Sequence, residues 1–463
     1  MAEASKLRAG TVEALRAETN DPAATREERL AALAKLAARL PPPGEPTGES
    51  NNHVHTIYSF SPYSPSMAAL LAREAGLEVA GSVDHDSISA SREMVAACAL
   101  AGIGGVTGCE LRVAFREGPD GRRFDFADRK INNPDSAGIV YMTVQGVPAG
   151  RADELSAFLA PVRARRLERT ARMAAAASAL LREAGVEGIE FERDVLPRSK
   201  AAEGGGLTER HLLAAVAERL IDRYGRGRSL VEGLAEGLGI VPAAKPAALL
   251  AEPANPILLF DLLGVLKAAF LDRIFEQPGE GECPDAKAVV AFARSIGAVP
   301  AYAYLGDVGE SPTGDKKAEK FEDDFIEELF DAVKASGFLA VAYMPPRNTR
   351  EQLSRVRELC ESRDLMQVSG VDINSPRQSF NCPELRRPEF AHLGEATWAL
   401  VAHERLSSAD PRAGLFAPDN PLASLSLSRR IKAYAEAGRA LDLARPDDPG
   451  RALGDLLEGR FTR

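Results

Sequence analysis

The sequence is poor in cysteine, tryptophan and histidine, and each shortage narrows what the protein can be. Its 463 residues include five cysteines, six histidines and one tryptophan. The cysteines are scattered and form no Cys-x-x-Cys pair, so neither a disulfide framework nor a zinc knuckle is indicated. Reduced and buried thiols are the simpler interpretation.

Long apolar runs and a surplus of basic residues are also lacking. The charged N-terminus and the absence of a membrane-length apolar stretch predict a cytoplasmic protein without a membrane partner. A net charge of −10 and a pI near 5.4 argue against broad nucleic-acid binding, which requires a basic surface. A small anionic substrate would therefore need locally placed cations. The oligomeric state does not follow from the sequence.

The order of predicted elements indicates an α/β barrel that is interrupted by helices. Short strands and helices alternate in two separate regions, which is typical of a parallel architecture with functional residues at the carboxyl ends of its strands. The predicted divisions are an N-terminal helical segment and linker (1–48), the first part of the barrel (49–150), a helical insertion (151–280), the second part of the barrel (281–380) and a C-terminal helical extension (381–463).

Histidines and carboxylates recur at the predicted strand ends. His53 and His55 share one face of their strand, because alternate residues of a strand point the same way, and so two imidazoles can hold one cation. A divalent ion bound by imidazole and carboxylate keeps positions open for water, as a hydrolytic site requires. Two simpler interpretations remain: a polar strand face, and an Asp-His-Asp turn that caps the next helix. The further candidates are Asp84, His85, Asp86, Glu110, Asp372 and Asn374.

These segments resemble the four-motif pattern of the PHP (polymerase and histidinol phosphatase) family. The resemblance spans about residues 50–380 and rests on HVHTIYSFSPYSP, VDHDS, GCEL and VSGVDIN. RARRLERTARM, LTERHLLAAVAERL and GLAEGLG are similar to the insertion of the nucleotide-monophosphatase and oligoribonuclease branch. The resemblance implies a distorted, TIM-like (β/α)7 barrel with a helical insertion. It also implies a metal-dependent phosphoesterase that acts on a small, nucleotide-like phosphorylated metabolite.

Four positions depart from the family pattern. Phe60 stands where the family has an acidic residue, and Gln145, Tyr304 and Asn374 stand where it has histidines. The resemblance implies that one metal position keeps its full ligand set of His53, His55, Glu110 and Asp372. A second position keeps only Glu110, and a third keeps His85 with Asn374. We expect one firmly bound Mn, Zn or Fe ion, and at most two.

Several side chains are candidates for catalysis and for substrate binding. Asp84 or Asp86 would orient His85 or move protons, and Arg377 would bind the phosphate through a bidentate contact. Packing or a loop salt bridge is an equal alternative for Arg377.

In the insertion, Arg166 of the basic helix would neutralise phosphate and His211 would border the substrate cleft. The alternatives are a solvated helix face for the arginines and a cap formed by Thr208 for the helix that holds His211. The alternatives to a phosphoesterase are a degenerate barrel that binds a metal or ligand, and a hydrolase of a non-phosphate bond.

Overall fold

The predicted fold class is confirmed: the chain forms a mixed α/β structure around a nearly closed seven-stranded barrel. The structure is a computed structural model that describes residues 2–41, 47–279, 281–307 and 320–462. The strands follow one another around a single sheet in chain order, and a parallel bridge between Val54 and Ile373 brings its two edges together. The strands are β1 (Ser50–Val54), β2 (Val79–His85), β3 (Gly104–Ala114), β4 (Ile139–Gln145), β5 (Val299–Ala303), β6 (Ala340–Tyr343) and β7 (Met366–Ser369).

The fourth strand departs from the predicted parallel alternation. β4 is antiparallel to both of its neighbours, β3 and β5, whereas the other pairs are parallel. A parallel partner requires a crossover, usually a helix, to return the chain to the same end of the sheet. Residues 115–138, which join β3 to β4, supply turns and bends instead. The chain therefore re-enters the sheet from the opposite end.

Helices cover the outer face of the barrel. The outward side chains of β3 to β6 share one apolar core with several of these helices. They include Leu111, Met142, Tyr302 and Val341. Amphipathic helices with one apolar face suit this position. The helices around the barrel are α3 (Pro65–Glu74), α4 (Ser91–Ala101), α10 (Ala286–Ser295), α11 (Ile326–Ala335) and α12 (Arg350–Ser362).

The five α-helices that lie between β4 and α10 share an apolar core of their own. Leu212, Val216, Leu234, Leu262 and Leu266 are members of this second core. The segment therefore folds around its own core beside the barrel. These helices are α5 (Ala152–Glu183), α6 (Glu209–Tyr224), α7 (Arg228–Leu238), α8 (Ala244–Leu250) and α9 (Leu258–Ala269).

Helices from both ends of the chain complete the structure. α1 (Ala2–Thr19) and α2 (Arg26–Ala37) precede the barrel, and α14 (Leu427–Ala440) and α15 (Gly450–Leu457) end the chain. Between them, α13 (Ala391–Ala409) packs on inward-facing residues of several strands and so closes the end of the barrel at which the parallel strands begin. None of the helices in the described ranges is both long and apolar enough to span a bilayer.

Candidate metal centre

The first strand carries a β-bulge that places two neighbouring side chains inside the barrel. Between Asn51 and Val54, three steps along β1 are matched by two along β2. A bulge shifts the in-out alternation by one residue, so Asn52 and His53 both face the interior, as His55 does. The predicted His-x-His pair thus lies on the inner face, and Asn52 joins it there.

His85 and Glu110 bring the second and third strands to the same point. The parallel register of β2 and β3 sets these two residues side by side. Oε2 of Glu110 lies 3.1 Å from Nδ1 of His85 and 3.7 Å from Nε2 of His55. Oε1 of Glu110 lies 3.5 Å from Nε2 of His53. One carboxylate therefore contacts three imidazoles.

Asp372 and Asn374 approach from the segment after β7. Oδ1 of Asp372 lies 3.4 Å from Nε2 of His55, and Nδ2 of Asn374 donates to the same Oδ1 at 2.6 Å. Gly370 permits this approach, because a Cβ at that position would lie 2.6 Å from the Cβ of His53.

The histidines and carboxylates form two overlapping groups, each able to hold a metal ion. The potential ligand atoms of each group lie within 4.8 Å of one another. The groups are His53, His55 and Asp372, and His55, His85 and Glu110. The residues of the predicted complete set and His85 are therefore brought together, with Asn374 beside them.

A hydrogen-bond chain fixes the orientation of His55. The Ser59 hydroxyl donates to Oδ1 of Asp84 at 2.6 Å and lies 3.3 Å from Nδ1 of His55. Because a hydroxyl has one proton, Nδ1 of His55 must be the donor in the second contact. A neutral His55 then presents the lone pair of Nε2 to the oxygens of Glu110 and Asp372. Lone pairs that face one another at this spacing fit a cation between them, so the residues present suit a divalent metal.

The prediction that Asp84 orients His85 is corrected. Adjacent residues of β2 face opposite sides of the sheet, and the Asp84 side chain reaches the loop after β1. There it accepts hydrogen bonds from Thr56 N at 2.7 Å and Thr56 Oγ1 at 2.6 Å, as well as from Ser59. Burial raises the pKa of Asp84, and these hydrogen bonds oppose that rise. Asp84 therefore positions His55 through Ser59.

The surroundings of His85 favour its neutral form. Burial, followed by the nearby His55 and Arg166, holds the pKa of His85 well below its ordinary value. For His53, burial lowers the pKa, but adjacent negative charge, chiefly that of Glu110, outweighs it and the pKa is raised. Neutral imidazole is the form that binds metals, and a bound cation would compete with a proton for His53.

Asp86 and Arg166 belong to a buried ion-pair network, which corrects both predicted roles. Nη1 of Arg166 lies 2.9 Å from Asp86, and its Nε lies 3.4 Å from Glu282. Arg112 and Arg169 also contact Glu282, each at 2.7 Å. Since these charges neutralise one another, Arg166 ties the insertion to the barrel and Asp86 serves as its ion-pair partner.

Arg377 lies outside the cluster, and its predicted phosphate contact is also corrected. Nη2 of Arg377 donates to Oδ2 of Asp261 at 2.7 Å, and its Nε binds Oδ1 of the same carboxylate. Asp261 lies on α9 of the insertion. The loop salt bridge that the sequence left open is therefore the arrangement observed.

His211 caps a helix and supports the loop after β1. Its Nδ1 accepts a hydrogen bond from Thr208 N at 3.0 Å in a capping box at the start of α6. Its ring meets the edge of Phe60 with centroids 5.0 Å apart, and Phe60 also lies near Phe260. Burial lowers the pKa of His211 to about 4, so the ring is neutral. The capping alternative is the one observed.

A cavity of about 150 Å³ opens beside the cluster. His53, His85, Glu110 and Asp372 line one part of it, and Asn374 lies beside them. The cluster is thus accessible to a small molecule at the carboxyl ends of the parallel strands.

Two cations of the insertion line the same cavity and were not identified from the sequence. Arg210 lies in the first turn of α6 and Lys267 in the last turn of α9. Neither has an ion-pair or hydrogen-bond partner within the described ranges. Arg347 also lines the cavity, and Asp135 adds one carboxylate. A sequence signal existed only for Arg210, which precedes His211 in the Thr-Glu-Arg-His segment.

Neither a family model nor a curated protein matches this chain. Among solved structures, it is similar to a proposed metal-dependent phosphoesterase from Bifidobacterium adolescentis. That match has a TM-score of 0.46 and 19% identity, and covers 74% of this chain and 96% of the other. It is also similar to an amidohydrolase from Chromobacterium violaceum with bound sulfate and no metal, with a TM-score of 0.45, 18% identity and coverages of 74% and 95%. At these scores and identities, neither likeness bears on the activity of this chain.

Proposed function

We propose that this protein is a metal-dependent hydrolase of the PHP type, and that it cleaves a phosphoester in a small, nucleotide-like metabolite. The observation that supports this proposal most strongly is that three histidines and two carboxylates converge beside a cavity. That cavity is also lined by Arg210 and Lys267, which have no partner in the described residues. The four motifs of the resemblance are far apart in the sequence, yet their residues meet at one end of the barrel. Such convergence supports a shared site over four unrelated strand ends.

The candidate ligands are His53, His55, His85, Glu110 and Asp372. A divalent ion bound by them would supply Lewis-acid polarisation and lower the pKa of bound water. Within the chain, Ser59 and Asp84 hold His55 in the required orientation.

Arg210 and Lys267 supply the anion preference. Both line the cavity, and both lack a partner in the part of the chain that the structure describes. A phosphate held at the cluster would gain charge-assisted hydrogen bonds from these cations, of which only the guanidinium can bind in a bidentate manner. This supports a phosphoester over a neutral amide or ester, for which two unpaired cations have no evident use.

Metal analysis of freshly purified protein, followed by a panel of phosphorylated and non-phosphorylated substrates, tests the proposal. At matched metal occupancy, Arg210→Gln and Lys267→Met should each lower kcat/KM for the best phosphoester by roughly tenfold or more, because each loses a charged contact. Arg228→Gln, an exposed change on α7, is the matched control and should leave kcat/KM unchanged.

Three results would contradict the proposal. Protein without tightly bound metal, and inactive after addition of Mn, Zn or Fe, would favour a ligand-binding barrel. Turnover confined to non-phosphate substrates would favour another hydrolase. Equal losses in Arg228→Gln and Arg210→Gln would remove the phosphate role from the cavity cations.

A further inference from the structure

The barrel interior beside the metal cluster contains amide oxygens without donors. Oδ1 of Asn52, Oε1 of Gln145 and Oδ1 of Asn374 are buried and accept no hydrogen bond within the described ranges. All three residues line the cavity. Asn52 and Gln145 are each 1% exposed. Leaving a buried acceptor unsatisfied costs free energy, so these oxygens are suited to a donor that arrives from outside the chain.

The orientation of Asn52 is fixed by its other atoms. Its Nδ2 donates to Ser369 O at 2.9 Å and to Thr397 Oγ1 at 2.7 Å. These contacts assign the nitrogen and leave Oδ1 as the acceptor. Thr397 belongs to α13, so the helix that closes the barrel also holds this side chain in place.

Gln145 lies below the level of the metal cluster. In the antiparallel register of β3 and β4, it is opposite Gly108, one inward-facing pair away from Glu110. Its Nε2 donates to Thr143 Oγ1 at 3.3 Å. The space in front of these amides remains open because the inward-facing residues of the next strands include Ala303 and Ala342, which also line the cavity.

We propose that this part of the cavity binds the hydroxyl groups of a polyol or sugar that carries the reacting group. The three unpaired amide atoms are acceptors and therefore select donors, while the Ser369 hydroxyl, which is also buried without a partner in the described residues and lines the cavity, can donate or accept. An ammonium donor would be repelled by Arg210, Lys267 and a metal, whereas an anion would face amide oxygens. Neutral hydroxyl groups can donate to the amide oxygens and carry no charge that the nearby cations or the amide oxygens would repel. A cavity of about 150 Å³ has room for a short polyol or a pentose.

The proposed sugar site rests on the proposed hydrolase function and narrows its substrate class. The experiment below tests sugar binding and phosphoester hydrolysis separately. Ribose binding by metal-loaded protein is measured by calorimetry or ligand-observed NMR. In parallel, kcat/KM is compared between ribose 5-phosphate and p-nitrophenyl phosphate. Gln145→Met should weaken ribose binding by roughly three- to tenfold, as expected for one neutral hydrogen bond, and should lower the ratio of the two kcat/KM values. Ala303→Val, which fills the cavity without removing a hydrogen bond, should act in the same direction.

Gln367→Met is the matched control. Gln367 is a buried glutamine on β7 that faces outward and accepts from Tyr343 Oη at 2.9 Å, so its replacement should alter neither ribose binding nor the ratio. Absence of ribose binding in the wild type would overturn the inference, as would unchanged binding in both Gln145→Met and Ala303→Val. Loss of ribose binding in the variants, with no phosphoester cleaved by the wild type, would uphold the inference and refute the proposed function.

Discussion

Replacement of Ser59 by alanine tests whether the hydrogen-bond chain behind His55 prepares the metal site. Ser59 is fully buried, and its hydroxyl lies between Nδ1 of His55 and the carboxylate of Asp84. Ser59→Ala removes that hydroxyl and adds no new group. Nδ1 then loses its acceptor, and the imidazole can take the tautomer in which Nε2 carries the proton and cannot bind a metal.

The expected loss follows from the chemistry of such supporting contacts. Replacing an outer partner of a metal-binding histidine typically costs about ten- to a hundredfold in metal affinity, or about 1.4–2.7 kcal/mol. Asp84 keeps its two contacts from Thr56, at 2.7 and 2.6 Å, so its carboxylate stays partnered. The free energy of unfolding without metal should therefore fall by only about 1–3 kcal/mol.

Competition with a calibrated chelator gives the dissociation constant for Zn or Mn in each variant. Ser61→Ala is the matched control, since Ser61 lies on the same loop and its hydroxyl accepts a weak hydrogen bond from Tyr63 N at 3.4 Å. The control should bind metal as the wild type does. Equal dissociation constants in both variants, with circular dichroism showing a native fold, would refute the argument that Ser59 sets the His55 tautomer.

Two further outcomes follow from residues outside the cluster. Arg377→Lys should leave kcat/KM unchanged at matched metal content and lower the free energy of unfolding by at most about 1 kcal/mol, because its partner is Asp261 on a partly exposed surface; a clear kinetic loss would return Arg377 to the substrate. Glu404 is buried with its pKa raised to about 8, so unfolding of the wild type should become easier as pH rises from 4.5 to 8, by up to about 1.4 kcal/mol per pH unit. Urea titrations across that range should show a smaller slope for Glu404→Gln, and equal slopes would contradict this.

The general position of the site could be predicted because strand periodicity and strand ends constrain it strongly. His53 and His55 share a face in any regular strand, and residues such as His85 and Glu110 must meet if their strands are parallel neighbours. The direction of β4 followed a different feature, the missing crossover helix. The lack of a helix could be recognised from the Gly-rich and Arg-rich segment before Ile139. A prediction based only on alternating strands and helices does not take that segment into account.

The roles of individual side chains were less predictable, because closeness in sequence does not show which side chains reach the cavity. Arg377 lies close to Asp372 in the chain, yet its side chain turns to the insertion, whereas Arg210 and Lys267 reach the cavity from far away in sequence. Asn52 was not predicted as a site residue because its inward direction depends on a one-residue bulge. Bulges leave no clear pattern in the sequence of a short polar strand.

The number of metal ions follows from the lone pairs available at the cluster. Both candidate groups include His55, and its Nδ1 is engaged by Ser59, so Nε2 can serve one ion at a time. Two of the four substituted positions offer no free ligand atom, since the Tyr304 hydroxyl donates to Asp323 at 2.6 Å and Phe60 packs against His211. The other two, Gln145 and Asn374, offer only an amide oxygen, which is a poorer ligand than imidazole or carboxylate. We therefore predict a stoichiometry of one metal ion, the number that the departures in sequence also lead us to expect.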